Sequence, residues 1–134
     1  MRKVYNRIMM LMVALAATVA FTSCEPDDGY YSYVTGTWTA EYAGDRSGEY
    51  DLGEYDIDQY SFYDNGTGIY SYYNDYRQWV SLRFEWSDNG RNSLTLWYED
   101  GVNDVLYYDF DRYGYLILGH DPSLGTYTGY RPGR

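Results

Sequence analysis

Val80-Ser81-Leu82-Arg83-Phe84-Glu85-Trp86-Ser87 alternates without a break, with Val80, Leu82, Phe84 and Trp86 on one side and Ser81, Arg83, Glu85 and Ser87 on the other. A period of two marks a half-buried β-strand, because successive side chains leave the pleat on opposite faces. The pattern recurs along the chain. Leu94, Leu96 and Tyr98 share a face opposite Ser93, Thr95, Trp97 and Glu99; Leu106, Tyr108 and Phe110 continue it, as do Leu116 and Leu118. Turn residues separate these runs at Asp64-Asn65-Gly66, Asp88-Asn89-Gly90, Asp100-Gly101, Tyr113-Gly114 and Asp121-Pro122. Asn-Gly and Asp-Gly favour the positive φ of tight hairpins. The spacing predicts eight short strands over residues 35–43, 55–63, 67–73, 78–87, 93–99, 104–110, 114–120 and 125–130, with the acidic segment Asp45–Glu54 as a loop at one mouth. Sequential strands with short links favour an all-β, eight-stranded antiparallel up-and-down barrel, since closure removes exposed edges. A small β-sandwich is the alternative.

Composition narrows the function classes. The 134 residues carry a formal net charge of −10, one Cys and one His. That charge argues against nucleic acid, or an anionic membrane surface held by charge, as partner. One Cys excludes an internal disulfide framework, and one His removes most zinc-hydrolase constellations. The length suits one domain.

The first 23 residues read as an address, to be set aside before fold reasoning. Arg2, Lys3 and Arg7 precede an uncharged run, Ile8–Phe21, which falls short of the roughly 20 apolar residues of a membrane-spanning helix. Phe21-Thr22-Ser23-Cys24 follows. This resembles the lipobox of bacterial lipoproteins, with Phe21 where Leu is usual. The resemblance implies that residues 1–23 are removed, that Cys24 becomes the first residue of the mature chain, and that it carries the acyl chains that anchor it. Two or more chains hold a protein stably on a membrane where one binds reversibly. The acidic Glu25-Pro26-Asp27-Asp28-Gly29 resembles surface-export signals of some Gram-negative lipoproteins. The expected location is the outer membrane, on the periplasmic face or the cell surface. Residues 24–33 then form a lipidated acidic and aromatic tether, and 34–134 the barrel domain.

Of ten Lys and Arg, three lie in the leader, so seven arginines remain against all 20 acids, a mature charge of −13. Leu, Ile, Val and Phe make up only about a sixth of the mature chain, a fraction that with this charge suggests disorder. Twenty Tyr, of which only Tyr5 is lost, and four Trp reverse that reading. Each aromatic ring can bury about 150–250 Å².

Gly36-Thr37-Trp38 stands in the first strand, within Val34-Thr35-Gly36-Thr37-Trp38-Thr39-Ala40-Glu41-Tyr42. It is similar to the G-x-W opening of lipocalins and lipocalin-like bacterial lipoproteins. In that family the Trp closes the bottom of an eight-stranded barrel and an Arg from the barrel's end packs over it. The resemblance implies Trp38 and Arg131 as the closing pair, held by cation–π attraction. The family's Thr-Asp turn is absent, and no C-terminal helix is evident.

A barrel of eight strands either fills its interior with side chains or holds one small ligand. Phe62, Phe84, Trp86, Tyr98, Tyr108 and Phe110 are the candidate core or ligand lining, with Tyr hydroxyls, or Arg83 if it points inward, as polar handles. Trp79, Trp97 and Tyr107 fall on the polar-side phase and form a candidate outer patch for an envelope protein or a glycan. Covering of that patch by Tyr30, Tyr31 and Tyr33, or a shift of phase at a bulge, are the alternatives. The acids Glu49, Asp51, Glu54, Asp56 and Asp58, and the run Asp109–Gly114, lack the spacing of a calcium loop and read as solvated surface. His120, before Asp121-Pro122, reads as a turn histidine; Ser123 lies in no nucleophile motif. No cofactor, metal or catalytic group is expected. The reading is a non-catalytic binding module holding a small, partly apolar ligand, or a filled barrel presenting its surface.

Overall fold

The alternating segments become nine antiparallel strands in the computed structural model, which describes residues 32–133. The lipobox, Cys24 and the tether tyrosines Tyr30 and Tyr31 lie outside the described residues. The chain divides into two units, Met1–Tyr33 and Val34–Arg134. The second contains β1 (Gly36–Asp45), β2 (Gly48–Asp51), β3 (Asp58–Phe62), β4 (Thr67–Tyr73), β5 (Trp79–Gly90), β6 (Ser93–Tyr98), β7 (Asn103–Phe110), β8 (Leu116–Gly119) and β9 (Tyr127–Pro132). Strands β3 to β9 pair in chain order, β1 pairs with β3, and β1 also pairs with β9. Ala40 stands opposite Tyr130 and Trp38 opposite Pro132 across that last seam. Eight strands therefore close into a barrel, which sets the sandwich aside, and β2 is a ninth strand on its rim.

The segment Asp45–Glu54, expected as a loop, holds β2. Asp45 Oδ1 accepts hydrogen bonds from the Ser47 amide at 2.8 Å and the Ser47 hydroxyl at 2.6 Å. Gly48, at φ +135, completes the reversal. All four residues of β2 are exposed, so the strand carries no burial alternation that a sequence could display. Its place follows from β1, whose edge is shared: β3 pairs with Gly36–Thr39, and β2 with Tyr42–Asp45. Between them the register with β9 shifts from Ala40 to Tyr42, leaving Glu41 as the extra residue of a bulge. A bulge bends and twists its strand, and here it carries β1 from one partner to the other. Residues 55 and 56, expected to open the second strand, lie in the 3-10 turn Glu54–Asp56, and β3 starts at Asp58.

The register brings the inward side chains into rows across the barrel. Ala40, Tyr130, Leu116 and Phe110 face one another in turn, as do Phe62, Gly68, Phe84 and Tyr98. Trp38, Phe62, Phe84, Leu94, Leu96, Leu106, Leu116 and Tyr130 are buried in one core. Gly68 sits between Phe62 and Phe84 in its row, and a Cβ there would overlap the Phe84 ring and the Ser61 carbonyl oxygen. Gly68→Ala is thus expected to cost about 1–3 kcal/mol through overpacking. Urea unfolding measures it; a midpoint equal to the parent's means that Phe84 yields without cost.

Candidate functional site

Asp58 opens β3 in phase with Tyr60 and Phe62, so its side chain shares their inward face. It stands opposite Tyr72 on β4. Its carboxylate accepts the Tyr70 hydroxyl at 2.7 Å and a second hydroxyl from Tyr130. Beside it Tyr60 donates to Tyr98. Tyr60 and Tyr70 stack with centroids 4.5 Å apart, Tyr70 and Tyr98 meet edge-on at 6.1 Å, and Tyr60 meets Tyr130 at 5.6 Å. Tyrosines from four strands, β3, β4, β6 and β9, thus meet inside the barrel, and those of β4 and β9 bond the Asp58 carboxylate. The apolar floor below is Phe62, Phe84 and Trp86, whose rings lie 5.3–5.5 Å from one another where they meet.

Electrostatics in this cluster follow from burial. Burial raises the Asp58 carboxyl above its ordinary value, outweighing the two tyrosine hydroxyls, which lower it. Burial pushes Tyr98 up to about 12 and raises Tyr60, Tyr70 and Tyr130 well above their ordinary value. The phenols are therefore donors at neutral pH. A carboxyl raised by folding holds its proton more tightly in the folded chain. Its favourable contribution is complete below the unfolded value of about 3.8 and is lost as pH rises through the folded value. Asp58→Asn, neutral throughout, escapes that loss. Its melting temperature relative to the parent's is expected to rise as pH climbs above about 4 and to level off once pH passes the folded value. A difference independent of pH would contradict the raised carboxyl.

The residues expected to line the barrel are inside it. Phe62, Phe84 and Tyr108 are buried, while Trp86, Tyr98 and Phe110 are half-buried against the core. The Trp86 indole donates to the carbonyls of Tyr63 and Thr67, both at 3.0 Å, and Tyr108 donates to Asp88 at 2.9 Å. Arg83 stands opposite Ile69 and is exposed on the outer phase, so it is no interior handle.

Trp38 and Arg131 are not brought together as a closing pair. Trp38 faces Pro132 and Thr39 faces Arg131, so Arg131 leaves β9 on the face opposite to Trp38. Its Nε lies 3.6 Å from Glu41 Oε2. The Trp38 indole instead donates to the Val34 carbonyl at 2.7 Å and packs on Phe110 at 5.9 Å.

The outer aromatics also part company. Trp97 stands opposite Glu85, six residues along β5 from Trp79, or about 20 Å. Tyr107 stands opposite Ser93, four residues further along β6 from Trp97, about 13 Å away. Trp79 instead packs edge-on against Tyr73 at 4.8 Å, and Tyr73 against Tyr55 at 5.1 Å, with the Arg77 guanidinium 4.6 Å from the Tyr55 ring. Tyr55 and Trp79 are 43% and 45% exposed, so this cluster is a real surface feature. A second tyrosine seam lies over β1 and β9. Tyr42 crosses Gly129 and donates to Asp111 at 3.0 Å, and Tyr127 crosses Gly44 and donates to Glu49 at 2.7 Å. The last bond ties β2 to the closing strand. Between β2 and the barrel an open groove of about 740 Å³ runs past Glu41, Tyr50, Leu52, Ile57 and Arg131.

The remaining polar candidates are held in turns. Asp111 caps its turn through the amides of Tyr113 and Tyr115, and Ser123 donates to Asp121 at 2.8 Å. His120 reaches across to Asp104, with Nε2 at 3.1 Å from Oδ2, and not to its neighbour Asp121.

An eight-stranded antiparallel barrel, closed first strand to last and opened by G-x-W, is a lipocalin-like fold. A lipocalin-like protein from Bacteroides uniformis ATCC 8492, known from its crystal structure, shares it: the two superpose with a TM-score of 0.56 at 13% identity, over 76% of this chain and 100% of that one. At that identity the likeness is one of fold. No protein-family model and no curated protein matches the sequence.

Proposed function

We propose that this chain is a non-catalytic binding module of the bacterial envelope, holding one small, partly apolar ligand inside its barrel. The observation that carries this reading is the polar cluster inside the barrel, in which Tyr70 and Tyr130 donate to Asp58 and Tyr60 donates to Tyr98 beside an aromatic floor. These groups are paired donor to acceptor, an arrangement suited to holding and orienting a guest. The lipocalin-like fold supports it, since an eight-stranded barrel has room for one small ligand where side chains do not fill it. Titration with the neutral fluorophore Nile red tests it. Saturable one-to-one enhancement is expected; a signal no larger than that of a protein without a barrel would oppose it.

The lipobox at Phe21–Cys24 supports an anchor in the outer membrane through acylated Cys24, with residues 24–33 as tether. Cys24→Ala is expected to move the protein from the membrane fraction to the soluble fraction and to abolish labelling by palmitate. A variant that stays with the membrane and takes the label would sink the anchor.

One observation favours a second reading. The exposed Tyr55–Tyr73–Trp79 cluster is the kind of surface on which a glycan ring or an envelope protein packs. In that case the barrel is a filled scaffold.

A further inference from the structure

The groove beside β2 exists because the barrel wall changes partner there. β3 covers the edge of β1 as far as Thr39, and β2 takes it up from Tyr42, with the bulge residue Glu41 between them. The Leu52 amide donates to the Glu41 carbonyl at 3.1 Å, and the chain then swings away through the Glu54–Asp56 turn before β3 begins at Asp58. That detour leaves an open space of about 740 Å³. Pockets that hold small molecules run from about 300 to 1,000 Å³. Asp58 and the tyrosines around it lie elsewhere, inside the barrel.

The lining of this space sorts ligand classes. Leu52 and Ile57, packed partly against the core, are its apolar part, and Tyr50, 59% exposed, stands beside them. Glu41, Glu49 and Asp51 bring three carboxylates and Arg131 one guanidinium. Tyr127 donates to Glu49 at 2.7 Å and Tyr115 to Glu41. A carboxylate has about four acceptor sites, so both keep room for further donors. Arg131 Nε lies 3.6 Å from Glu41 Oε2, too far for a hydrogen bond, and the two side chains are 38% and 44% exposed. A donor and an acceptor thus stand side by side within reach of a ligand. An anion meets three acids for one arginine. A wholly apolar body strips water from charged groups and returns no bond. A lone cation gains little from exposed carboxylates in water and meets Arg131 among them. Adjacent hydroxyls on a sugar ring use both sides of the pair, one donating to Glu41 and its neighbour accepting from Arg131, and hydrogen bonds to ionised groups are the stronger kind.

We infer that the groove between β2 and the barrel is a second binding site, for a neutral sugar or glycan segment. Glu41 and Arg131 hold adjacent hydroxyls, Asp51 accepts a further one, and the C–H face of the ring packs on Tyr50. The site is separate from the barrel interior and from the Tyr55–Tyr73–Trp79 cluster, and it stands whether or not the barrel holds a guest.

The test is an NMR titration of the isotope-labelled full chain with the neutral trisaccharides cellotriose, maltotriose, xylotriose and mannotriose, the anion trigalacturonate and the cation spermidine. At least one neutral sugar is expected to shift the amides of Glu41, Tyr50 and Asp51 saturably, with a Kd of about 1 mM or tighter, and trigalacturonate to bind at least about tenfold more weakly. Glu41→Met and Arg131→Met each remove one half of the pair and should each weaken that sugar at least about tenfold. The inference is overturned if no neutral sugar moves these amides up to about 20 mM, or if trigalacturonate or spermidine binds as tightly as the best of them. It is also overturned if the shifts gather at Tyr55 and Trp79, which would place the glycan on the aromatic cluster, or if both variants bind as the parent does. The amide map on the unaltered chain decides the matter even where a variant does not fold. Nile red, added to the same samples, reports on the interior separately: a sugar in the groove with Nile red excluded would sink the interior reading and leave this site standing.

Discussion

Trp38→Ala is expected to lower the free energy of unfolding by about 3–5 kcal/mol, the usual range for deleting a buried aromatic. Trp38 is 7% exposed, its indole donates to Val34 at 2.7 Å, and it packs on Phe110 where β1 closes onto β9. The loss has two parts, a cavity beneath the closing seam and the hydrogen bond from the indole to the Val34 carbonyl. Trp38→Phe separates them: it keeps most of the ring volume and loses the hydrogen bond, worth about 0.5–1.5 kcal/mol. Chemical denaturation of the three forms measures both. Val102→Ala, at a residue 55% exposed, is the surface control, expected to change stability by no more than about 0.5 kcal/mol. Trp38→Ala at the control's level would mean that the first strand does not depend on its Trp.

Phe62→Ala is expected to be equally severe, at about 3–5 kcal/mol. Phe62 is fully buried and touches three rings: Tyr60 stacked at 5.5 Å, Phe84 at 5.5 Å and Trp86 at 5.3 Å. Each such pair adds about 0.5–1.5 kcal/mol beyond its area. Phe62→Leu keeps much of the bulk and loses the ring pairs, so it should fall between the parent and the alanine form. Because Tyr60 stacks on Phe62 and donates to Tyr98, the alanine form should also loosen the tyrosines over Asp58. Near-ultraviolet circular dichroism follows that effect, and a tyrosine signal equal to the parent's would disconnect the floor from the cluster.

Much of the barrel was legible because burial imposes a period of two. Leu94, Leu96 and Tyr98, or Val80 to Trp86, show their inner face without help from neighbours. Strand β2 was not legible because Gly48–Asp51 buries nothing and is defined by the edge that β3 leaves free on β1. The site divides the same way. Phe62, Phe84 and Tyr98 were visible as apolar or aromatic residues in phase. Asp58 was passed over as one acid in an acidic run, although its spacing of two and four from Tyr60 and Phe62 put it on the inward face. Pairing across strands is where a single sequence goes silent. Register alone separates Arg131 from Trp38 and scatters Trp79, Trp97 and Tyr107. A turn that folds Tyr55 back onto Tyr73 makes the surface cluster instead.

The claim that the barrel carries a guest is tested most directly by native mass spectrometry of the protein as isolated, with no ligand added. The account predicts one additional small mass per chain that disappears on denaturation, and its loss alongside the cluster in a Tyr70→Phe, Tyr130→Phe double variant. A chain that flies at its own mass from every preparation, and stays so after incubation with Nile red, would contradict it and leave the filled scaffold with its Tyr55–Tyr73–Trp79 surface.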